Sequence, residues 1–155
     1  MGIVELAQGN LPEALSALQK CIGLFSDLGM QGDVAFYLTY LGEAEAGLGR
    51  AEKSEEHWLA AIRLAREAQA LPALLAASTR FAGLLAERGE LSRAYKLAAL
   101  AAKHPASWED TKNRAEKLCA ELGPSLPEGE AAAIQPGAAE DSLDLLIQQV
   151  LTEHC

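Results

Sequence analysis

The chain has 155 residues, half of them apolar but only 5% aromatic, and a net charge of −9. Its length allows one domain, with a sizeable core only if the chain is compact. No apolar run of membrane-spanning length and no basic stripe occurs, which excludes a membrane span and disfavours nucleic-acid binding, since phosphate neutralisation needs clustered cations.

Ala and Leu dominate and β-branched residues are scarce, so an all-helical chain is expected. Residues 121–155 carry seven acids and no Lys or Arg, leaving the preceding 120 residues nearly neutral. No signal-peptide pattern opens the sequence, and a cytoplasmic location is expected. Three cysteines, Cys21, Cys119 and Cys155, do not make a disulfide framework. Cys21 reads as a small buried apolar residue and Cys155 as an exposed thiol.

Helical signals follow one another along the chain. Asn10 suits an N-cap before Leu11-Pro12-Glu13, and Pro12 is tolerated in a first helical turn. Ala14, Leu15, Leu18, Cys21, Ile22 and Phe25 then form the stripe of a helix with one buried face. Gly29 and Gly32 are expected to end it. A second helical hairpin pairs Val34–Leu48 with Ala51–Gln69 across Gly49-Arg50. Pro72 opens a third, which turns at Gly89-Glu90 and returns over Leu91–Lys103. Ser107 and Asp110 are spaced like a capping box for a helix to about Leu122, the polar lid of a stack. Pro124, Pro127, Gly129, Pro136 and Gly137 mark residues 123–141 as a linker. Residues 142–155 form a short helix with Leu143, Leu146, Ile147, Val150 and Leu151 on one face. A helix this short is marginal alone and is expected to dock, in cis or in a swapped dimer.

The strongest pattern is a repeat. Gly9, Gly49 and Gly89 lie 40 residues apart. Positions +5, +9 and +12 after them read Ala14, Leu18, Cys21; Ser54, Trp58, Ala61; and Ala94, Ala98, Ala101. A fixed period in this range marks stacked supersecondary units, which mostly bind partners along a surface.

These positions resemble the tetratricopeptide repeat, in which a turn glycine precedes a small, a bulky and a small residue. Gly2, Gly42 and Ala82 match the small position inside each first helix. The likeness covers residues 2–103, with Ser54 and Ala98 departing from the usual residue types and a period six residues longer than usual. It implies an all-α, right-handed α-solenoid of helical hairpins over residues 1–122, closed by a capping helix. Gln8-Gly9-Asn10, Leu84–Glu90, His104–Ser107 and the Leu143–Leu151 tail are similar to the C-terminal repeat region of large bacterial LuxR-type or activator-type regulators and related signalling ATPases. That implies a protein–protein interaction scaffold or a regulatory sensor module of a bacterial signalling or transcription regulator. A small-molecule effector site on the concave groove is the alternative. No phosphate loop and no helix-turn-helix occurs.

Because Gly2 matches the middle of a first helix, the chain is expected to be a piece of a longer protein or a natural short form. Its leading end, including Ile3, Val4 and Leu6, is then expected to expose apolar surface and self-associate.

Carrying over the groove positions of such repeats nominates Phe36, Thr39, Tyr40 and Glu43, and Thr79, Arg80, Gly83 and Glu87, as contacts to a protein or peptide partner. The Lys and Asn clamp for a C-terminal carboxylate is missing: Thr39 and Thr79 stand for Lys, Glu43 and Gly83 for Asn. His57, His104 and His154 have no metal-ligand spacing, so no metal or other cofactor is expected. Glu55-Glu56-His57 reads as a solvated helix face, and His104 as a helix-end cation. Trp58 and Trp108 read as packing anchors. No nucleophile elbow or catalytic carboxylate pair stands out, and an enzyme is not expected.

Overall fold

The computed structural model describes residues 2–127, 129 and 139–153. The described residues form eight α-helices and no strand: α1 Gly2–Ala7, α2 Leu11–Asp27, α3 Gln31–Gly47, α4 Ala51–Glu67, α5 Leu71–Glu87, α6 Leu91–Lys103, α7 Glu109–Leu122 and α8 Ala139–Glu153, with a 3₁₀ turn at Gly123–Ser125. The chain divides into two compact units, Met1–Ala77 and Ser78–Cys155, with the boundary inside α5.

The helices recur on a finer ruler than the glycines announce. Helices α2 to α5 are each 17 residues long. A left-handed residue falls every twentieth position: Gly9, Gly29, Gly49, Gln69 and Gly89, with φ of 79°, 72°, 75°, 55° and 85°. Each makes the same corner. Its N–H bonds to the carbonyl three residues back at 3.0–3.2 Å, and the next N–H reaches five back at 2.8–2.9 Å. This is the Schellman pair of bonds, which satisfies two orphan carbonyls at a helix end. Gln69 is the exception in residue type, since a side chain in this region is strained. The Ala51–Gln69 reading therefore ran too far: α4 stops at Glu67.

Local details depart from expectation. Gly32 lies in the first turn of α3 and ends nothing. Asn10 occupies the N-cap position without capping through its side chain; its Nδ2 donates instead to Glu5 Oε2 at 2.8 Å. Ser107 caps nothing either. Trp108 holds the N-cap position of α7, and the Ser107 hydroxyl donates to the Ala101 carbonyl at 2.6 Å. In both places the side chain donates to another group and leaves the helix N–H groups uncapped.

In the first unit α1 packs on α2, α2 on α3 and α3 on α4. Ala14, Leu18 and Leu41 form a buried cluster, with Ile3, Leu6, Leu15, Ile22, Tyr37, Leu38 and Tyr40 partly buried against it. Two close approaches position the helices. A Cβ on Gly2 would sit 2.7 Å from Leu18 Cγ, and a Cβ on Gly42 would sit 2.6 Å from Trp58 Nε1. Both pairs are 16 residues apart, and each joins a residue without a side chain to a bulky one. In the third copy the same two positions are Ala82 and Ala98, both fully buried. Size is thus redistributed within the pair, with Ala98 where Leu18 and Trp58 stand in the first two copies.

In the second unit α7 and α8 both pack on α6. Leu97, Ala98 and Ala101 of α6 are buried, as are Ala115 of α7 and Leu143, Ile147 and Val150 of α8. Within the chain the C-terminal helix thus packs on α6. It starts at Ala139, three residues before Ser142, while the expected linker opens with the 3₁₀ turn. Residues 128 and 130–138 of that linker, and His154 and Cys155, lie outside the described residues. No helix among the described residues is long and apolar enough to cross a membrane.

Candidate functional site

Helix α3 is buried along most of its length: Val34, Ala35, Thr39, Leu41, Gly42, Ala44 and Glu45 are all covered. Phe36, Tyr40 and Glu43 are half-buried. Their i, i+4, i+7 spacing sets these three side chains on one helix face.

The aromatic rings there form a chain. Phe36 meets Tyr40 edge-on at 5.0 Å between centroids and Tyr37 edge-on at 5.1 Å, and Tyr37 stacks on Phe25 of α2 at 5.3 Å. Offset-stacked and edge-on rings favour each other through their quadrupoles. Burial raises the Tyr37 phenol above its usual range, with Cys21 and Asp33 adding in the same direction, so the ring stays neutral. Phe36 and Tyr40 were legible as surface candidates. Phe25 and Tyr37 were not, although Phe25 stands 40 residues before the buried Ala65 and so breaks the repeat's small-residue pattern.

The other nominated positions separate. Thr39 is 1% exposed, so it is not a groove residue. Its hydroxyl donates to the Ala35 carbonyl at 2.9 Å, and its own carbonyl accepts the Trp58 indole N–H at 3.0 Å. Thr79 and Arg80 are buried too. Arg80 Nη2 donates to Asp110 Oδ2 of α7 at 3.4 Å, which assigns its charge to holding helices rather than a partner. Gly83 is half-buried and Glu87 exposed. Of the eight groove positions, Phe36, Tyr40, Glu43, Gly83 and Glu87 keep some exposure.

On α8, Leu143, Ile147 and Val150 are buried, Leu146 and Leu151 half-buried, and Leu145 exposed. Its last turn is tied to α6 by the Arg93 guanidinium, which binds both carboxylate oxygens of Glu153. A depression of about 400 Å³ lies beside this contact, between Gly89–Arg93 and Ser125–Pro127.

Among the described residues no cluster of three metal-ligating side chains exists. His57 is half-buried, and desolvation lowers its pKa against the opposing pull of Glu45 and Glu56. Burial raises the Cys119 thiol, which disfavours the reactive thiolate. Cys21 is half-buried rather than buried. His104 stands at the C-cap of α6, where its Nδ1 accepts the Ala106 N–H at 3.0 Å. Trp58 is 7% exposed and anchors the packing, whereas Trp108 is 39% exposed.

What these elements define is an all-helical chain whose helices pack in sequence within the first unit and on α6 in the second. No protein-family model matches it, and no curated protein or solved structure does.

Proposed function

We propose that the chain is a tetratricopeptide-like α-solenoid that serves as a protein–protein interaction or regulatory sensor module, within a bacterial regulator of the LuxR or activator type. The solenoid reading is supported by the corner that returns every twenty residues and by the glycine–bulky pairs that return every forty. The observation that carries a binding role is the α3 face. Phe36 and Tyr40 keep aromatic surface at the protein boundary, with the Glu43 carboxylate one turn on. Aromatic side chains beside a charged rim are the composition of contact patches. The chemistry fits a peptide segment carrying an apolar side chain and a basic one, the first lying on the rings and the second pairing with Glu43.

A random-peptide display selection against the immobilised chain tests this. Selected peptides are expected to be apolar–basic and to lose affinity at least tenfold against Phe36→Lys and Glu43→Lys, with helix content unchanged by circular dichroism. Binders indifferent to both substitutions, or a metabolite that raises the melting temperature while no peptide binds, would refute the reading.

A further inference from the structure

Helix α2 is covered unevenly. Cys21, Ile22 and Phe25 are only half-buried, whereas the residues 40 positions on, Ala61, Ile62 and Ala65, are fully buried. On the outer side Leu24 is 65% exposed and Leu28 is 70% exposed, with Met30 beside them at 44%. Such side chains scattered singly need no explanation, but here they adjoin on one face, which also carries Lys20, Gly23 and Asp27. A Cβ built on Gly23 would meet no atom within 4 Å, so the backbone lies bare in the middle of the face. Neither Lys20 nor Asp27 has an ion-pair partner among the described residues. Asp27 sits at the C-terminus of α2, whose last turn holds no basic residue. A carboxylate there opposes the helix dipole, and a cation from outside would relieve it.

We infer that this face is a two-fold interface with a second copy of the chain, formed by antiparallel crossing of α2 on α2 about an axis between Gly23 and Leu24. The pattern is self-complementary about that point. Lys20 and Asp27 are equidistant from the axis, so Lys20 of each copy meets the partner's Asp27 and brings positive charge to the negative end of the partner's helix. Leu24 of each copy lies over the partner's Gly23, a knob placed where the facing helix has no side chain. Leu28 lies along the aliphatic stems of the partner's Gln19 and Lys20. A two-fold contact requires each surface to match itself in this way. The two ion pairs are exposed, so they fix orientation more than affinity. A single helix crossing covers less than the roughly 1,200 Å² of a standard interface, so the dimer is weak, with a Kd on the order of 10–100 μM. The inference is independent of what occupies the α3 face.

Sedimentation velocity on the full chain from about 5 to 500 μM tests it. The wild type is expected to shift reversibly from monomer to dimer. Leu24→Glu places two like charges against each other at the axis and is expected to weaken association at least tenfold, with an unchanged circular dichroism spectrum because the side chain is exposed. Lys20→Glu and Asp27→Lys are each expected to remain monomeric alone. Mixed one to one, they are expected to form a heterodimer, because every acid then faces a base. A wild type that stays monomeric at 500 μM, a dimer indifferent to Leu24→Glu, or charge variants that fail to rescue each other would overturn the proposal.

Discussion

Gly42→Ala is the smallest change that tests how the first unit is packed. The added methyl would lie 2.6 Å from Trp58 Nε1, 2.7 Å from Cδ1 and 3.0 Å from Cε2. Carbon contacts are optimal at about 3.5–4.0 Å, so the ring must retreat by roughly an ångström. It has little freedom to do so. The indole is buried, rigid, and held to the Thr39 carbonyl at 3.0 Å. Overpacking of this kind costs about 1–3 kcal/mol, and loss of the indole hydrogen bond adds about 1 kcal/mol. Against this stands a gain of about 1 kcal/mol for Ala over Gly inside a helix. The net expectation is a loss of about 1–3 kcal/mol. Gly83→Ala is the control, since its Cβ would meet nothing within 4 Å; only the helix-propensity gain remains, and a stabilisation of about 1 kcal/mol is expected. Urea unfolding followed by circular dichroism and Trp58 fluorescence measures both. In a Trp58→Ala background the Gly42→Ala penalty should vanish, since that pair reproduces the alanines at 82 and 98. If Gly42→Ala stabilises the chain as Gly83→Ala does, the close glycine–tryptophan approach is wrong.

Other substitutions have definite signs. The Ser54 hydroxyl is buried without a hydrogen-bond partner, so Ser54→Ala should stabilise by about 1 kcal/mol in the same urea assay; a loss would show that the hydroxyl is satisfied in solution. Gln69 is the sole corner residue with a side chain in the left-handed region among the described residues. Gln69→Gly should therefore be neutral or raise stability by up to about 1 kcal/mol, and Gly49→Gln should lower it by about the same amount. Effects of the same sign for the two changes would contradict equivalent corners. His57 has a folded pKa below its ordinary 6.5 because burial disfavours the imidazolium. The unfolded chain then binds the extra proton, so this contribution is fully present above that value and is lost as pH falls through the unfolded pKa to the folded one. Between pH 7.5 and 5.5 the wild type should lose more stability than His57→Gln, and an equal loss would sink the assignment.

The sequence made the scaffold readable because its corners are chemically marked. Glycine tolerates the left-handed turn, so Gly9, Gly29, Gly49 and Gly89 announce themselves. Gln69 carries no such mark, and the twenty-residue step stayed hidden behind the forty-residue period. The small positions Gly2 and Gly42 were visible from alignment alone, but their partners follow from three-dimensional contact. Polar side chains were the hardest to place. Asn10 at the N-cap of α2 and Ser107 just before the N-cap of α7 each donate to another group and cap nothing. Thr39 and Arg80 occupy groove positions by count but are buried, because a hydroxyl can bond to its own helix and a guanidinium can reach across to Asp110. Composition at a helical position does not say which neighbour will satisfy it.

The most direct measurement is a nuclear Overhauser experiment on the full chain. Contacts are expected between Gly42 and the Trp58 indole ring and between Gly2 and the Leu18 side chain, together with left-handed backbone shifts at Gln69 as well as at the four corner glycines. A helical Gln69, or a Trp58 ring remote from Gly42, would contradict hairpins packed in a common frame.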